Sequence, residues 1–495
     1  MNEWTTEMRY RPYGQWDKDY SQKLITAKKN SLWHMNYHIQ PNSGLLNDPN
    51  GFSYFNGRWH LFYQLYPFGP VHGLKSWYHL SSTNLVDWKD EGYGLLPDNP
   101  YDSHGVYSGT ALPVGDQLLL AYTGNVRGEN WERASYQMGA WMDKNNQVTK
   151  IEQPFIPAPP KGYTTHFRDP QVIPYEKGYL LVIGAQNDQE EGKVLVYQSA
   201  DLTDWCLLGE LDFTKESMGF MVECPNLVFI DERPVLLFCP QGMAQSVTPY
   251  DNIYPNMVVI GDAFDSDDVK LINPQPLQNL DYGFDIYATQ AFNAPDGRVL
   301  SVGWAGLPEL EYPTDEEGWA HCLSLVRELT IKDNHLYQLP VAEHKELRQK
   351  QTALKGTIGL QQALVENTTN CYELEITLPA NSEGVLSFFA DEQNNYQLAL
   401  HFDTKNGKIT LDRSQMSLPL NEKFGTTRTV ELTQSRALKL QVFADQSICE
   451  IFVNDGEYAL TSRVFPQTGE TQLFIEGTQG EYTGNYWELR SSSQN

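Results

Sequence analysis

The chain has 495 residues, 40% of them apolar and 12% aromatic, enough for two or three packed domains. Its 36 Lys and Arg stand against 63 Asp and Glu, a net charge of −27. That balance argues against nucleic acid and anionic membrane surfaces as partners, because both are bound through clustered cations.

Residues 1–32 read as an N-terminal extension. Glu3, Glu7, Arg9 and Arg11 interrupt the opening before any apolar run can form, so it has no secretory-signal pattern, and no later stretch approaches the ~18 apolar residues of a membrane span. The six cysteines, Cys206, Cys224, Cys239, Cys322, Cys371 and Cys449, show no CxxC spacing. A reduced, cytoplasmic protein is the simplest expectation.

From residue 33 to 340, Gly- and Asn/Asp-rich turns alternate with short β-branched and aromatic runs, an all-β pattern. Five segments resemble one another: NDPNGFSYFNGRWHLFYQ from Asn47, YSGTALPVGDQLLLAYTG from Tyr107, FRDPQVIPYEKGYLLVIGAQ from Phe167, VECPNLVFIDERPVLLFCPQG from Val222, and YATQAFNAPDGRVLSVGWAG from Tyr287. With Asp48, Ser108, Asp169, Glu223 and Thr289 as equivalent positions, the spacings are 60, 61, 54 and 66 residues. The echo of HLSSTNLVDW (from His79) in YQSADLTDW (from Tyr197) supports the same period. A four-stranded unit repeated in this way predicts a five-bladed β-propeller over 33–340.

The segment 341–352, with charges on one side and Val341 and Leu347 among the apolar positions, reads as a helical linker. Alternating stretches such as CYELEITL, GVLSFFA, LKLQVFA and CEIFVN then predict an antiparallel β-sandwich over 353–495.

In a propeller the openings of equivalent repeats converge on the axis. Three of these openings carry a carboxylate, Asp48, Asp169 and Glu223, and each is followed by a proline (Pro49, Pro170, Pro225), suited to a strand start or edge. Three acids brought together without lysine partners repel, and their pKa values are pushed apart until one holds a proton. One carboxylate can then attack or stabilise while another donates, the arrangement of glycoside hydrolysis. The eleven histidines are dispersed without an HExxH spacing, no Gly-rich phosphate loop precedes a helix, and Ser108 lacks a GxSxG context. Neither a metal nor a cofactor is expected.

At these residues the sequence resembles glycoside hydrolase family 32, the invertases and related β-fructosidases. HIQPNSGLLNDPNG from His38, FRDP, ECP, YSGT, GFDIYATQAF, GWAG and CEIFVNDGE occur in the family's order, from about His38 to near the C-terminus. The resemblance implies a retaining mechanism in which Asp48 is the nucleophile, Glu223 the general acid/base and Asp169 a transition-state stabiliser. It also implies that Asn47, Gln64, Trp77, Ser108, Arg168 and Trp304 bind the fructose unit.

Three segments depart from the family pattern: Tyr66-Pro67 where Asn-Pro is common, Asn226 after ECP where Asp is usual, and Trp77-Tyr78-His79-Leu80 in place of a Trp-Gly-His-Ala type segment. FYQLYPFGPVHGLKSW from Phe62 is most similar to the bacterial branch acting on sucrose 6-phosphate. The implied partner is a small sugar: sucrose 6-phosphate, sucrose or, as an alternative, inulin- or levan-type fructans. A non-catalytic sugar-binding propeller is the reading from another class. A phosphorylated substrate requires local cations, and His72, Lys75, Lys161 and His166 are the candidates.

Overall fold

The computed structural model describes residues 3–492 except 177, 367 and 479. The protein is all-β apart from a few short helices. Five successive, mainly antiparallel sheets of four or five strands come first, with a two-stranded hairpin beside the fourth, and two six-stranded sheets follow. The first strands of the five sheets are Gly44–Phe55, Val106–Val114, Tyr163–Tyr175, Met221–Ile230 and Ile286–Asn293.

These five strands carry the same irregularity. In each, two residues oppose a single residue of the second strand: Asn47 and Asp48 against Gln64, Tyr107 and Ser108 against Thr123, Asp169 and Pro170 against Ile183, Cys224 and Pro225 against Phe238, Ala288 and Thr289 against Gly303. A bulge of this kind bends the strand and re-aims its side chains. Asp169, Cys224 and Ala288, at the first bulge position, take φ of +69°, +48° and +47°. The bulges correct the repeat alignment. Asp48, Ser108 and Thr289 are equivalent second bulge residues, whereas Asp169 is a first bulge residue and Glu223 precedes its bulge. The shared Pro and carboxylate pulled the sequence alignment one or two residues out of register.

Just beyond each bulge a buried polar side chain accepts a hydrogen bond from the backbone of the next sheet. Asn50 accepts from the Gly109 N–H (2.9 Å), Thr110 from Val172 (3.1 Å), Gln171 from Leu227 (2.6 Å), Asn226 from Ala291 (3.3 Å), and Gln290 from Phe52 of the first sheet (2.7 Å). Apolar packing follows the same order. Phe62 and Leu118 join sheets one and two, Leu112 and Val172 two and three, Val182 and Leu227 three and four, Val228 and Val299 four and five, and Leu300 and Leu46 five and one. The short strand Trp319–Ala320 also pairs with Gly44 and Leu45.

The expected helix over 341–352 is a 3-10 segment, Ala342–Leu347, and a strand, Arg348–Ile358, begins inside that span. Pairing along Gly480–Leu489 captures the charged segment as a sheet edge, and this tertiary pairing outweighs its helix propensity. The two six-stranded sheets pack face to face through residues such as Leu374 and Ile451 of one and Leu386 and Ile475 of the other, a β-sandwich.

The sandwich is fastened to the first five sheets by buried charge. Asp445 accepts from the backbone N–H groups of Asn36, Tyr37 and His38 and lies 2.9 Å from His38 Nδ1. His38 Nε2 is 3.0 Å from Glu450, which also pairs with Arg327 at 2.7 Å. Burial alone would push the His38 pKa down, but the bonds and charges of Asp445 and Glu450 outweigh it and hold it above its ordinary value. The first and last motif segments thus meet at the domain contact.

At the N-terminus, the helix Lys18–Lys29 is capped by Asp17. Trp4, Tyr13 and Trp16 pack around Tyr66 and Phe68, and the Tyr66 hydroxyl donates to the Met8 carbonyl at 3.0 Å. The departure at Tyr66 therefore holds the N-terminal extension in place. Among the described residues no helix is long and apolar enough to cross a membrane.

Replacing Asn226 with Leu keeps the branching and number of side-chain heavy atoms but leaves the Ala291 N–H and the Cys224 carbonyl, its 3.0 Å partner, without the bonds Asn226 makes. This change is expected to cost about 1–3 kcal/mol, read as a lower urea unfolding midpoint. An unchanged midpoint would show that the tie carries no stability.

Candidate active site

The bulges bring the three acids together. Asp48 accepts from the Asn47 side chain (2.9 Å), from Ser108 and, at 3.4 Å, from Gln64. Gln64 also bonds Ser108, and Asn47 donates to Gln64 at 3.0 Å, so four of the expected residues form one mesh around a single carboxylate. Gln64 belongs to it because it lies directly opposite the first bulge.

Asp169 accepts from the Cys224 N–H at 3.0 Å, and its own N–H donates to Thr123 at 3.0 Å. The Cys224 thiol lies 3.6 Å from Asp169 and 3.7 Å from Asp48, so one sulfur spans both carboxylates. Glu223 accepts both Nε and Nη2 of Arg168, at 3.0 and 2.8 Å, and the Tyr287 hydroxyl at 2.8 Å. Arg168, Glu223 and Tyr287 are the residues immediately before the bulges of sheets three, four and five, so one register position in neighbouring sheets supplies both partners of the glutamate. Tyr287 was missed in the sequence. Correct alignment of the repeats, with Tyr287 beneath Glu223, would have found it.

Lys75 corrects the expectation of acids without a lysine. It is buried, donates to Asn47 at 2.8 Å, and faces all three carboxylates. Burial lowers its pKa to about 8 against the pull of Asp48, Glu223 and Asp169. Burial raises that of Asp169 to about 7; Arg168 opposes the rise, and the charges of Glu223 and Asp48 add to it. Asp169 therefore holds its proton up to near neutrality, as a buried acid beside like charges does.

The two tryptophans differ in what they can do. Trp77 is fully enclosed in a core with Phe62 and Tyr122, and its indole N–H donates to the Tyr107 carbonyl at 2.9 Å, so it offers no face to a sugar. His79, beside it, is stacked on Phe62 and lies 2.9 Å from His60, which makes that departure a matter of core packing. Trp304 is also buried, but its indole N–H lacks a hydrogen-bond partner among the described residues, and it packs against Tyr287. A Cβ on Gly306 would fall 2.4 Å from that nitrogen, so only glycine fits beside it.

Of the phosphate candidates, Lys75 is committed to the acid cluster. His72 is packed near Trp304, with its pKa held well below the ordinary value by burial and then by Lys75. Lys161 is exposed in a turn. His166 lies between two arginines, with Nδ1 3.2 Å from Arg168 and 3.4 Å from Arg133. A cleft of about 860 Å³ beneath the N-terminal extension, lined by Trp4, Arg9, His72 and His321, adjoins the site through Trp304. No group of three or more His, Cys, Asp or Glu is arranged to hold a metal ion among the described residues.

Comparison with known proteins accords with this geometry. Residues 38–340 match the model of the glycosyl hydrolases family 32 N-terminal domain, and residues 342–488 that of the family's C-terminal domain. A sucrose-6-phosphate hydrolase of Pediococcus pentosaceus is 50% identical over 489 residues, covering 99% of this chain and 97% of the relative. The structure of sucrose-6-phosphate hydrolase from Lactobacillus gasseri superposes with a TM-score of 0.95 at 44% identity, covering 99% of this chain and all of that one. A β-fructofuranosidase of Bombyx mori gives 0.82 at 29%, over 96% of this chain and 98% of that one. Together with the clustered carboxylates, these matches show that the chain is a glycosidase and belongs to glycosyl hydrolase family 32.

Proposed function

We propose that the protein hydrolyses the β-fructofuranosidic bond of sucrose 6-phosphate, and of sucrose, releasing fructose with retention. The observation that carries this reading is the convergence of Asp48, Asp169 and Glu223, from three separate sheets, on one site. Its similarity to sucrose-6-phosphate hydrolases supports the choice of substrate.

In this reading Asp48 attacks C2 of the fructosyl unit as the C2–O bond breaks, and Glu223 gives its proton to the departing glucosyl oxygen. Water then loses a proton to Glu223 and attacks C2, which frees fructose and restores Asp48. Asn47, Ser108 and Gln64 hold the nucleophile in line. Arg168 and Tyr287 position Glu223, and Asp169 accepts hydrogen bonds from fructose hydroxyls. The unpaired Trp304 N–H is a donor for the same sugar. The five bulged sheets, tied in sequence and from fifth to first, support a five-bladed propeller whose axis is the site, with the sandwich as a second domain from about residue 348. A phosphorylated substrate is consistent with a cytoplasmic enzyme.

Glu223→Gln should lower kcat by about 10²–10⁴-fold, the usual worth of a general acid–base group. Asp48→Asn should abolish fructose release while circular dichroism stays native. Near-normal turnover in either variant would remove that residue from the mechanism.

Lys75→Met removes the cation facing the acids and makes each carboxyl harder to ionise. Both limbs of the kcat/KM–pH profile should therefore move upward, by about one pH unit. Unmoved limbs would refute Lys75 as the counter-charge. With wild-type enzyme, kcat/KM should rank sucrose 6-phosphate above sucrose and both above inulin. Inulin ranking first would replace this reading with a fructan exohydrolase.

A further inference from the structure

Beside Glu223 lies a pair of arginines that the reaction does not use. Arg127 and Arg133 face each other directly across the hairpin formed by Gln117–Arg127 and Arg133–Met142. Like charges opposite one another destabilise a strand pair. Neither arginine forms a salt bridge among the described residues, although acids outnumber bases in this chain by 63 to 36. Glu132, on the same loop, accepts from the Asn130 N–H instead.

Both guanidinium groups are half-buried, and the Arg127 Nε is enclosed without a hydrogen-bond partner. Trp131, at the hairpin tip, holds Arg127 in place. Its carbonyl accepts from Arg127 Nη1 at 3.3 Å, and its ring lies 5.7 Å from the guanidinium carbon. Trp131 takes φ of +67°, a costly conformation for a bulky residue, and Tyr10 of the N-terminal extension packs edge-on against it at 5.0 Å. His166 accepts toward both Arg133 and Arg168; burial and then the two arginines lower its pKa to about 4, which keeps it a neutral acceptor. Arg133 is thus three contacts, through His166 and Arg168, from the carboxyl that would protonate the leaving oxygen.

Unpaired, preoriented guanidinium groups are suited to a phosphate dianion, which they grip through forked hydrogen bonds. Through His166 and Arg168 they lie on the Glu223 side of the acid cluster, and a protein of −27 needs such a local reversal of charge to admit a phosphorylated sugar. We infer that Arg127 and Arg133, backed by His166 and Trp131, form the site for the 6-phosphate of the glucosyl unit. The inference rests on the substrate reading above and names the residues that read the phosphate.

The test compares kcat/KM for sucrose 6-phosphate and sucrose in the wild type, Arg127→Gln, Arg133→Gln and Arg133→Lys. Each glutamine variant should lower the ratio of the two about 10- to 100-fold, the worth of a charge-assisted hydrogen bond. Arg133→Lys should retain part of it, because charge survives without the fork. Glucose 6-phosphate should inhibit the wild type more strongly than glucose, and the glutamine variants should narrow that gap. A wild-type preference that survives both glutamine changes would overturn the site alone. A wild type with no preference for the phosphorylated sugar would overturn the substrate reading and the site together. The ratio is insensitive to partial misfolding, which lowers both activities alike.

Discussion

Five side-chain-to-backbone hydrogen bonds, from Asn50, Thr110, Gln171, Asn226 and Gln290, set the geometry on which everything else in this protein rests. Each acceptor lies just beyond a bulge and each donor belongs to the neighbouring sheet, so the bonds fix not only sheet against sheet but bulge against bulge. Apolar packing between sheets is stronger in sum but tolerates sliding, whereas a buried amide paired to a backbone N–H has one satisfied position. Asn226, a departure from the family's motif, has this structural duty.

That fixed geometry lets the site keep charges that would otherwise repel. Asp48, Asp169 and Glu223 share one region because Lys75 and Arg168 are buried with them, and because backbone or side-chain donors bond each carboxylate. The balance is incomplete: burial and the charges of Glu223 and Asp48 drive Asp169 up to about 7 in spite of Arg168. The neighbouring Arg127–Arg133 pair is the converse case, two cations without a salt bridge among the described residues of an acidic protein.

The parts outside the five sheets act on this same centre. The sandwich holds the approach to the first strand through Asp445, which accepts from three successive backbone N–H groups of residues 36–38. The N-terminal extension closes over Tyr66 and Phe68 at the end of the second strand and sends Tyr10 against Trp131. Both additions brace the loops around the acids and leave the acids' own contacts alone.

By itself the sequence determined the all-β class, the period of about sixty residues and the three candidate carboxylates, and through its motifs it named Asn47, Gln64 and Ser108 as candidates beside them, because turn chemistry, strand alternation and motif order are local properties written residue by residue. Only the tertiary structure decided the register of the repeats, since a bulge is a mismatch between two strands and has no signature in either one alone. It likewise decided that Lys75 serves the acids, that Trp77 is core, that Tyr287 holds Glu223, and that 348–358 is a strand. Each of these depends on which distant segment lies alongside, and pairing and burial across sheets overrule what the residues prefer in isolation.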